Sequence, residues 1–406
     1  MSRPAESGAW ELPEFLLATW GGPKVVSGAD RAAGLAAVGM NTVRWDLADL
    51  AALRGHGLRA LVDGAEPADA ARLRDEALVW GYHLVDEPET DRFPEIGRQV
   101  EAFRQADPHH PAYVNLFARA GDHTAAFVET VRPAFLSYDY YQWWYGPYQQ
   151  WWEGSTGYFS RLEQHRDAAR AAGIPLLNWV EVVASRHDDR YRNVPAPSDS
   201  GPKVRQSVYT GLAYGVKGVQ WFHGGLLFEE GTAALNECGR HVAALNAELR
   251  ALGPVLLRLE STGVFHTPPL PRGTREAPAQ HWVLPEGGEL VLGVFRDRDG
   301  GDYLLAANRR ADSGCRARLV FQRPIPGLQR LDRGRGAWVE VPLGRRADRA
   351  DAYDEAALAA FLGVPARQRP ALEHLRRINS YVPPFQVAEL VLAPGDGVLL
   401  RVARSP

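Results

Sequence analysis

The feature that most constrains this chain is a repeated alternation through its first 250 residues. Short, nearly continuous apolar runs with β-type composition take turns with segments whose apolar residues recur at the helical period. Eight such runs are legible: Phe15 to Trp20, Asn41 to Asp46, Leu58 to Asp63, Tyr82 to Asp86, Tyr113 to Phe117, Phe135 to Tyr141, Pro175 to Glu181 and Gly218 to Phe222. Runs that are apolar throughout, rather than at every second residue, suit strands covered on both faces, as in parallel sheets with crossover helices. The intervening segments include expected helices at Ala68 to Val79, Pro94 to Ala106 and Tyr158 to Ala172, with Gly39 and Gly173 placed as helix-ending glycines. Eight strand–helix units in about 250 residues predict a closed (β/α)₈ barrel, the TIM-barrel class, because closure leaves no exposed edge. A doubly wound open sheet is the fallback. Its glycine-rich first turn is missing, since Trp20-Gly21-Gly22-Pro23 does not fit G-x-G-x-x-G.

After Leu259 the pattern changes to strands without helices between them: His281 to Leu284, Glu289 to Phe295, Tyr303 to Asn308, Cys315 to Phe321, Ala337 to Leu343, Ala388 to Leu392 and Val398 to Val402. Gly, Pro and Asp turns separate them, which predicts an antiparallel β-sandwich. The expected division is a barrel over residues 1–258 and a β-sandwich over 259–406, with a helical insertion near 354–378.

Charge and cysteine content narrow the function. Lys and Arg total 46 against 49 Asp and Glu, too balanced for a broad nucleic-acid footprint. Two cysteines, Cys238 and Cys315, cannot staple 406 residues, so a disulfide-dependent secreted protein is not expected. Neither an export signal nor an 18-residue apolar span is visible, and the expectation is a cytoplasmic protein without membrane or nucleic-acid partners, of unknown oligomeric state. Histidines and acids do not cluster as a metal hydrolase requires, so no metal and no cofactor is expected.

In a parallel barrel, chemistry belongs at the C-terminal ends of the strands. The fourth run ends Val85-Asp86-Glu87-Pro88 and the seventh ends Trp179-Val180-Glu181. Strands four and seven stand across the mouth from each other, so Glu87 and Glu181 would face one another. Two carboxyls so placed can cleave a glycosidic bond, one protonating the leaving oxygen and the other attacking the anomeric carbon. Taken alone, either residue is as well explained by an acid at a helix start or loop start. Arg44, near the end of strand two, could hold a nucleophilic Glu181 ionised, or could simply pair with Asp46 or Asp49. Alternation along strand six puts Asp139 and Tyr141 on one face and Tyr138 and Tyr140 on the other, and the first pair is chosen. Trp179 and Trp221 could floor a sugar subsite or fill the top barrel layer. Asn115 could bind a sugar hydroxyl or satisfy backbone. From Tyr138 to Trp152 nine of fifteen residues are aromatic, interleaved with Gln142, Gln149 and Gln150. Such a segment suits the apolar faces and hydroxyls of a pyranose, or a protein interface.

These residues resemble the clan A glycoside hydrolases, and within them β-galactosidase-like members with a C-terminal β-sandwich. The resemblance implies a retaining enzyme with Glu87 as acid/base and Glu181 as nucleophile. It further implies that Arg44, Tyr141 and Trp221 complete a site for an oligosaccharide or glycoside. One departure stands out: where the family usually has an Asn that bonds the sugar 2-hydroxyl, this chain has Asp86. Two other readings remain open at this level, a barrel that binds sugar without turning it over and a phosphate-ligand enzyme using Gly224-Gly225.

Overall fold

The computed structural model describes residues 10–25, 27–119, 121, 123–143, 154–182, 197–346 and 385–404. The chain divides into two compact units, residues 1–258 and 259–406.

The first unit is a closed barrel of eight parallel strands in sequence order: β1 (Leu16–Thr19), β2 (Thr42–Asp46), β3 (Arg59–Asp63), β4 (Val79–Asp86), β5 (Ala112–Phe117), β6 (Leu136–Asp139), β7 (Leu176–Glu181) and β8 (Gly218–Phe222). Closure is made by β8 pairing with β1, from Leu16↔Gly218 to Thr19↔Trp221. The helices between strands are α1 (Gly28–Val38), α2 (Pro67–Leu73), α3 (Phe93–Ala106), α4 (His123–Val131), α5 (Gly154–Ala172) and α6 (Pro197–Ala213), and α7 (Glu237–Leu256) follows β8. Local signals act where the sequence places them. Ser27 caps α1 through the Asp30 N–H, and Gly39 ends it at φ 87, a left-handed conformation that favours glycine. The expected helix at Ala68 to Val79 is shorter than its periodicity implied, because α2 stops at Leu73. The apolar residues that follow go to the sheet instead, where the Ala60 N–H bonds the Leu78 carbonyl and Val79 opens β4.

Inside the barrel, Leu16, Leu61, Trp80, Tyr113, Phe135 and Leu177 form a buried apolar layer against which Trp10 and Leu12 pack. Polar side chains from three strands lie beside it. Tyr113 donates to Gln220 Oε1 (2.7 Å), Gln220 Nε2 donates to Ser137 Oγ (2.8 Å), and Ser137 donates to Asn115 Oδ1 (3.0 Å). Trp179 Nε1 donates to the Tyr113 hydroxyl at 3.0 Å. The Tyr113 and Ser137 hydroxyls also meet each other at 2.8 Å, which closes the polar cluster.

The second unit consists of two antiparallel sheets. One is ordered β10 (Val283–Glu286), β13 (Cys315–Phe321), β17 (Phe385–Leu392), β16 (Gly344–Arg346). The other is ordered β15 (Ala337–Val341), β14 (Leu328–Asp332), β18 (Gly397–Val402), β12 (Asp302–Asn308), β11 (Leu290–Asp297), β9 (Leu259–His266). Leu292, Val294, Leu304 and Leu400 from one sheet share a buried core with Ala317, Leu319, Phe321 and Leu390 from the other, which makes the pair a β-sandwich. Strands β9, β14 and β16 were not among those anticipated. The helical insertion expected near 354–378 lies outside the described residues. Among the described residues no helix is long and apolar enough to cross a membrane.

Candidate active site

The acids of the barrel converge at the C-terminal ends of β4, β6 and β7. On β4 the register slips between His83 and Val85, so that Asp86 comes opposite Asn115 of β5. A bulge of this kind re-aims side chains. It brings Asp86 inward, where Asn115 Nδ2 donates to Asp86 Oδ1 at 3.1 Å. The same nitrogen donates to Asp139 Oδ1 at 3.0 Å. Glu87 follows at φ 47, a left-handed conformation uncommon for a side-chain-bearing residue, and its backbone N–H bonds the Asn115 carbonyl at 2.9 Å. Glu181, the last residue of β7, is buried and accepts the Trp143 backbone N–H at 3.0 Å. Gln142 fastens that same segment to α6 by donating to Gln206 and Ser207, at 2.8 Å each.

The electrostatics follow from burial. Asp139 is 2% exposed and is held well above the usual carboxylate range, first by burial and then by the charge and hydrogen bond of Glu87. Burial likewise pushes Glu181 up to about 7, against hydrogen bonds from backbone that lower it. Asp86 rises to about 6, again mainly by burial, with the Asn115 bond opposing. Tyr141 gathers these influences. Its phenol is raised by burial and then by the negative charges of Asp139, Glu181, Glu87 and Asp86, so acids from β4, β6 and β7 act on one buried ring. That ring stacks on Phe222 with centroids 4.5 Å apart.

Asp139, Tyr141, Trp179 and Asn115 thus face the barrel interior with Glu181, as strand alternation requires, and the β4 bulge turns Asp86 toward them at the rim. Two expectations need correction. Arg44 does not serve Glu181: its guanidinium forms an ion pair with Asp63 and lies 4.6 Å over the Trp20 ring. Asp63 ends β3 next door and also bonds His83 Nδ1 at 2.8 Å, so it competes for Arg44 at shorter range. Trp221 faces the other way, outside the strand wall, where its Nε1 donates to Asn246 Oδ1 of α7 at 2.9 Å. Gln220 and Phe222 take the inward positions of β8, which leaves Trp221 the outward parity.

Sequence reasoning missed Asp63, Trp20 and Phe222. The first two could have been found from the polar or aromatic ends of runs three and one. Trp20 sits between His83 and Trp179, at ring separations of 5.2 and 5.0 Å. Beside it opens a cavity of about 210 Å³ lined by Trp20, Gly21, Arg31, Arg44, Trp45, Asp46 and Asp63. Gly224 owes its place to packing: a Cβ there would press into Thr19 Oγ1 and the Trp20 carbonyl. The aromatic residues 144–152 lie outside the described residues. Among the described residues no three His, Cys, Asp or Glu side chains are grouped to hold a metal ion.

No protein-family model and no curated protein matches the sequence. Among solved structures, the chain is similar to a GH27 β-L-arabinopyranosidase of Geobacillus stearothermophilus crystallised with arabinose. That match has TM-score 0.51 and 9% identity over 98% of each chain. It is also similar to a glucosidase of Croceicoccus marinus (TM-score 0.40, 12% identity, 98% of each chain). A third match is a GH5 xyloglucanase of Bacteroides ovatus (TM-score 0.36, 14% identity), covering 55% of this chain and 68% of that one. At 9% identity the likeness to the arabinopyranosidase is one of fold, and these structural neighbours are glycosidases.

Proposed function

We propose that the protein is a glycoside hydrolase that cleaves its substrate with net retention, using Glu181 as nucleophile and Glu87 as acid/base. The observation that carries this reading is the gathering of acids at three strand ends: Asn115 bonds both Asp86 and Asp139, Glu87 follows Asp86 with its N–H on the Asn115 carbonyl, and Glu181 ends β7 held by the Trp143 N–H. Carboxyls so gathered supply the two functions that acetal cleavage needs.

In the first step the Glu181 carboxylate attacks the anomeric carbon. The bond to the leaving oxygen breaks, and that oxygen takes the proton of Glu87. In the second step Glu87 removes a proton from water, the water oxygen attacks the same carbon, and Glu181 departs as carboxylate. Burial of Glu181 assists the first step: it disfavours the charge of the free carboxylate, and ester formation removes that charge. The Trp143 N–H fixes one oxygen of the nucleophile in the meantime. Trp20 lines a cavity whose other walls include Arg44 and Asp46, which can serve as partners for sugar hydroxyls.

The test is hydrolysis of a panel of nitrophenyl glycosides by the wild type, Glu87→Gln and Glu181→Gln. Turnover of at least one glycoside, lost in both variants, supports the proposal. Turnover intact in both variants refutes the assignment, and sugar binding without turnover in the wild type makes the barrel a binding protein.

A further inference from the structure

We propose that the cavity at the ends of β1, β2 and β3 binds the carboxylate of an acidic sugar, a hexuronic acid unit, and that Arg31 is the residue that selects it. This inference rests on the glycosidase reading and names the class of its substrate.

The cavity of about 210 Å³ has four charged walls, Arg31, Arg44, Asp46 and Asp63. Two of these neutralise each other. Asp63 accepts Arg44 Nε on one oxygen and meets His83 Nδ1 at 2.8 Å with the other, so both of its oxygens are engaged. Arg31 is different. Its guanidinium carbon lies 4.4 Å over the Trp45 ring, and among the described residues its side chain has neither an ion pair nor a hydrogen bond. Asp30, its neighbour in sequence, is engaged by the Ser27 hydroxyl at 2.7 Å.

The fold holds this cation in place without a counter-charge. Trp45 is 2% exposed and its Nε1 donates to the Asp49 carbonyl at 2.9 Å, which fixes the indole beneath the guanidinium. A Cβ at Gly22 would come within 3.3 Å of Arg31 Nε, so the glycine leaves that space to the arginine. Arg31 also stands one turn into α1, close to the helix end that favours anions over cations. A guanidinium laid on an indole is covered on its face, while its five N–H donors radiate in its plane. The two oxygens of a carboxylate match that planar fork. Arg44, backed in the same way by Trp20 at 4.6 Å, gives its Nε to Asp63 and keeps Nη donors for the same ligand.

Asp46 defines the rest of the ligand. It is exposed, and its carboxylate has no partner among the described residues. Ionised, it can only accept hydrogen bonds, so it favours hydroxyls and opposes excess negative charge. A hexuronic acid offers both features on one ring, a single carboxylate for Arg31 and hydroxyls for Asp46. A phosphorylated sugar, with nearly two charges, meets that opposition more strongly. Trp20 joins the cavity to the acids, since its ring packs at 5.0 Å on Trp179, two residues before Glu181.

The experiment measures binding by isothermal calorimetry of glucuronate, galacturonate, glucose 6-phosphate, glucose and galactose. Wild type is compared with Arg31→Met, Arg31→Lys and Asp46→Asn, each checked for folding by urea denaturation. Methionine keeps an apolar cover on Trp45, and lysine keeps the charge without the fork. The expected result is a wild type that binds one uronate at least about tenfold more tightly than its parent hexose, by an ion contact that added salt weakens. Arg31→Met abolishes the preference, Arg31→Lys restores part of it, and Asp46→Asn tightens uronate severalfold. On nitrophenyl glycosides, the ratio of kcat/KM for uronide over hexoside should fall by about 10²-fold in Arg31→Met. Failure to bind uronate, hexose or phosphate bound as tightly as uronate, or a preference that Arg31→Met leaves intact overturns the inference. It does so even if Glu87→Gln and Glu181→Gln abolish turnover of neutral glycosides. Uronate held through Arg31, with turnover undiminished in those two variants, upholds the site and overturns the underlying reading instead.

Discussion

Trp221 and Asn246 meet on the outside of the strand wall, the indole N–H of β8 donating to the amide oxygen of α7 at 2.9 Å, with both residues fully buried. Asn246 in turn donates to the Val38 carbonyl at the end of α1, so the pair ties a strand to two helices. Trp221→Phe keeps most of the packing but leaves Asn246 Oδ1 without its donor. The expected cost is about 1–3 kcal/mol in denaturant unfolding, with KM unchanged. A KM raised severalfold at unchanged stability would return Trp221 to the substrate side.

Glu181 links the site to stability. Its carboxyl stands at about 7 in the folded protein against an ordinary value of 4.5, so the folded state holds this proton more tightly than the unfolded chain. The associated stabilisation is fully present below the unfolded value and is lost as pH rises through about 7. In Glu181→Gln this dependence disappears. The variant's stability relative to wild type should therefore grow by on the order of 3 kcal/mol between pH 4 and pH 8, measured by urea unfolding. A constant difference across that range would mean that Glu181 is not buried as described.

The same value governs catalysis. Glu181 acts as an ionised nucleophile, so kcat/KM should rise as pH increases through about 7. Removal of its proton donor, in Glu87→Gln, should slow cleavage by about 10²–10⁴-fold with the steepest loss for poor leaving groups. Steady-state rates across a leaving-group series measure both.

Arg44 offers a contrasting case. Because its charge is engaged by Asp63, Arg44→Met should leave the limb set by Glu181 where it is, while raising KM by about tenfold through loss of a charged wall of the cavity. A full-unit displacement of that limb would show that Arg44 acts on Glu181 after all.

Much of the barrel is legible in the sequence because its strands are buried on both faces and separated by clear helix signals. Parity along β6 and β7 was equally readable, since Asp139, Tyr141, Trp179 and Glu181 follow regular alternation. Two features escaped for physical reasons. The inward parity of β8 depends on register around the closed ring, and a strand of five residues does not by itself reveal whether Gln220 or Trp221 faces the centre. The bulge in β4 and the positive φ of Glu87 break the period-2 rule just where the acids begin, so the meeting of Asp86, Glu87 and Asp139 around Asn115 follows from backbone geometry rather than spacing. The pairing of Arg44 with Asp63 joins the ends of neighbouring strands β2 and β3, a closeness that depends on barrel register and not on sequence spacing.

The most direct measurement is the anomeric configuration of the first sugar released, followed by proton NMR on a nitrophenyl glycoside that the wild type turns over, with Glu181→Gln as the control. A retaining mechanism through Glu181 gives the substrate's own configuration in the initial product and no product from the variant. An inverted initial product, or undiminished release by Glu181→Gln, would contradict it.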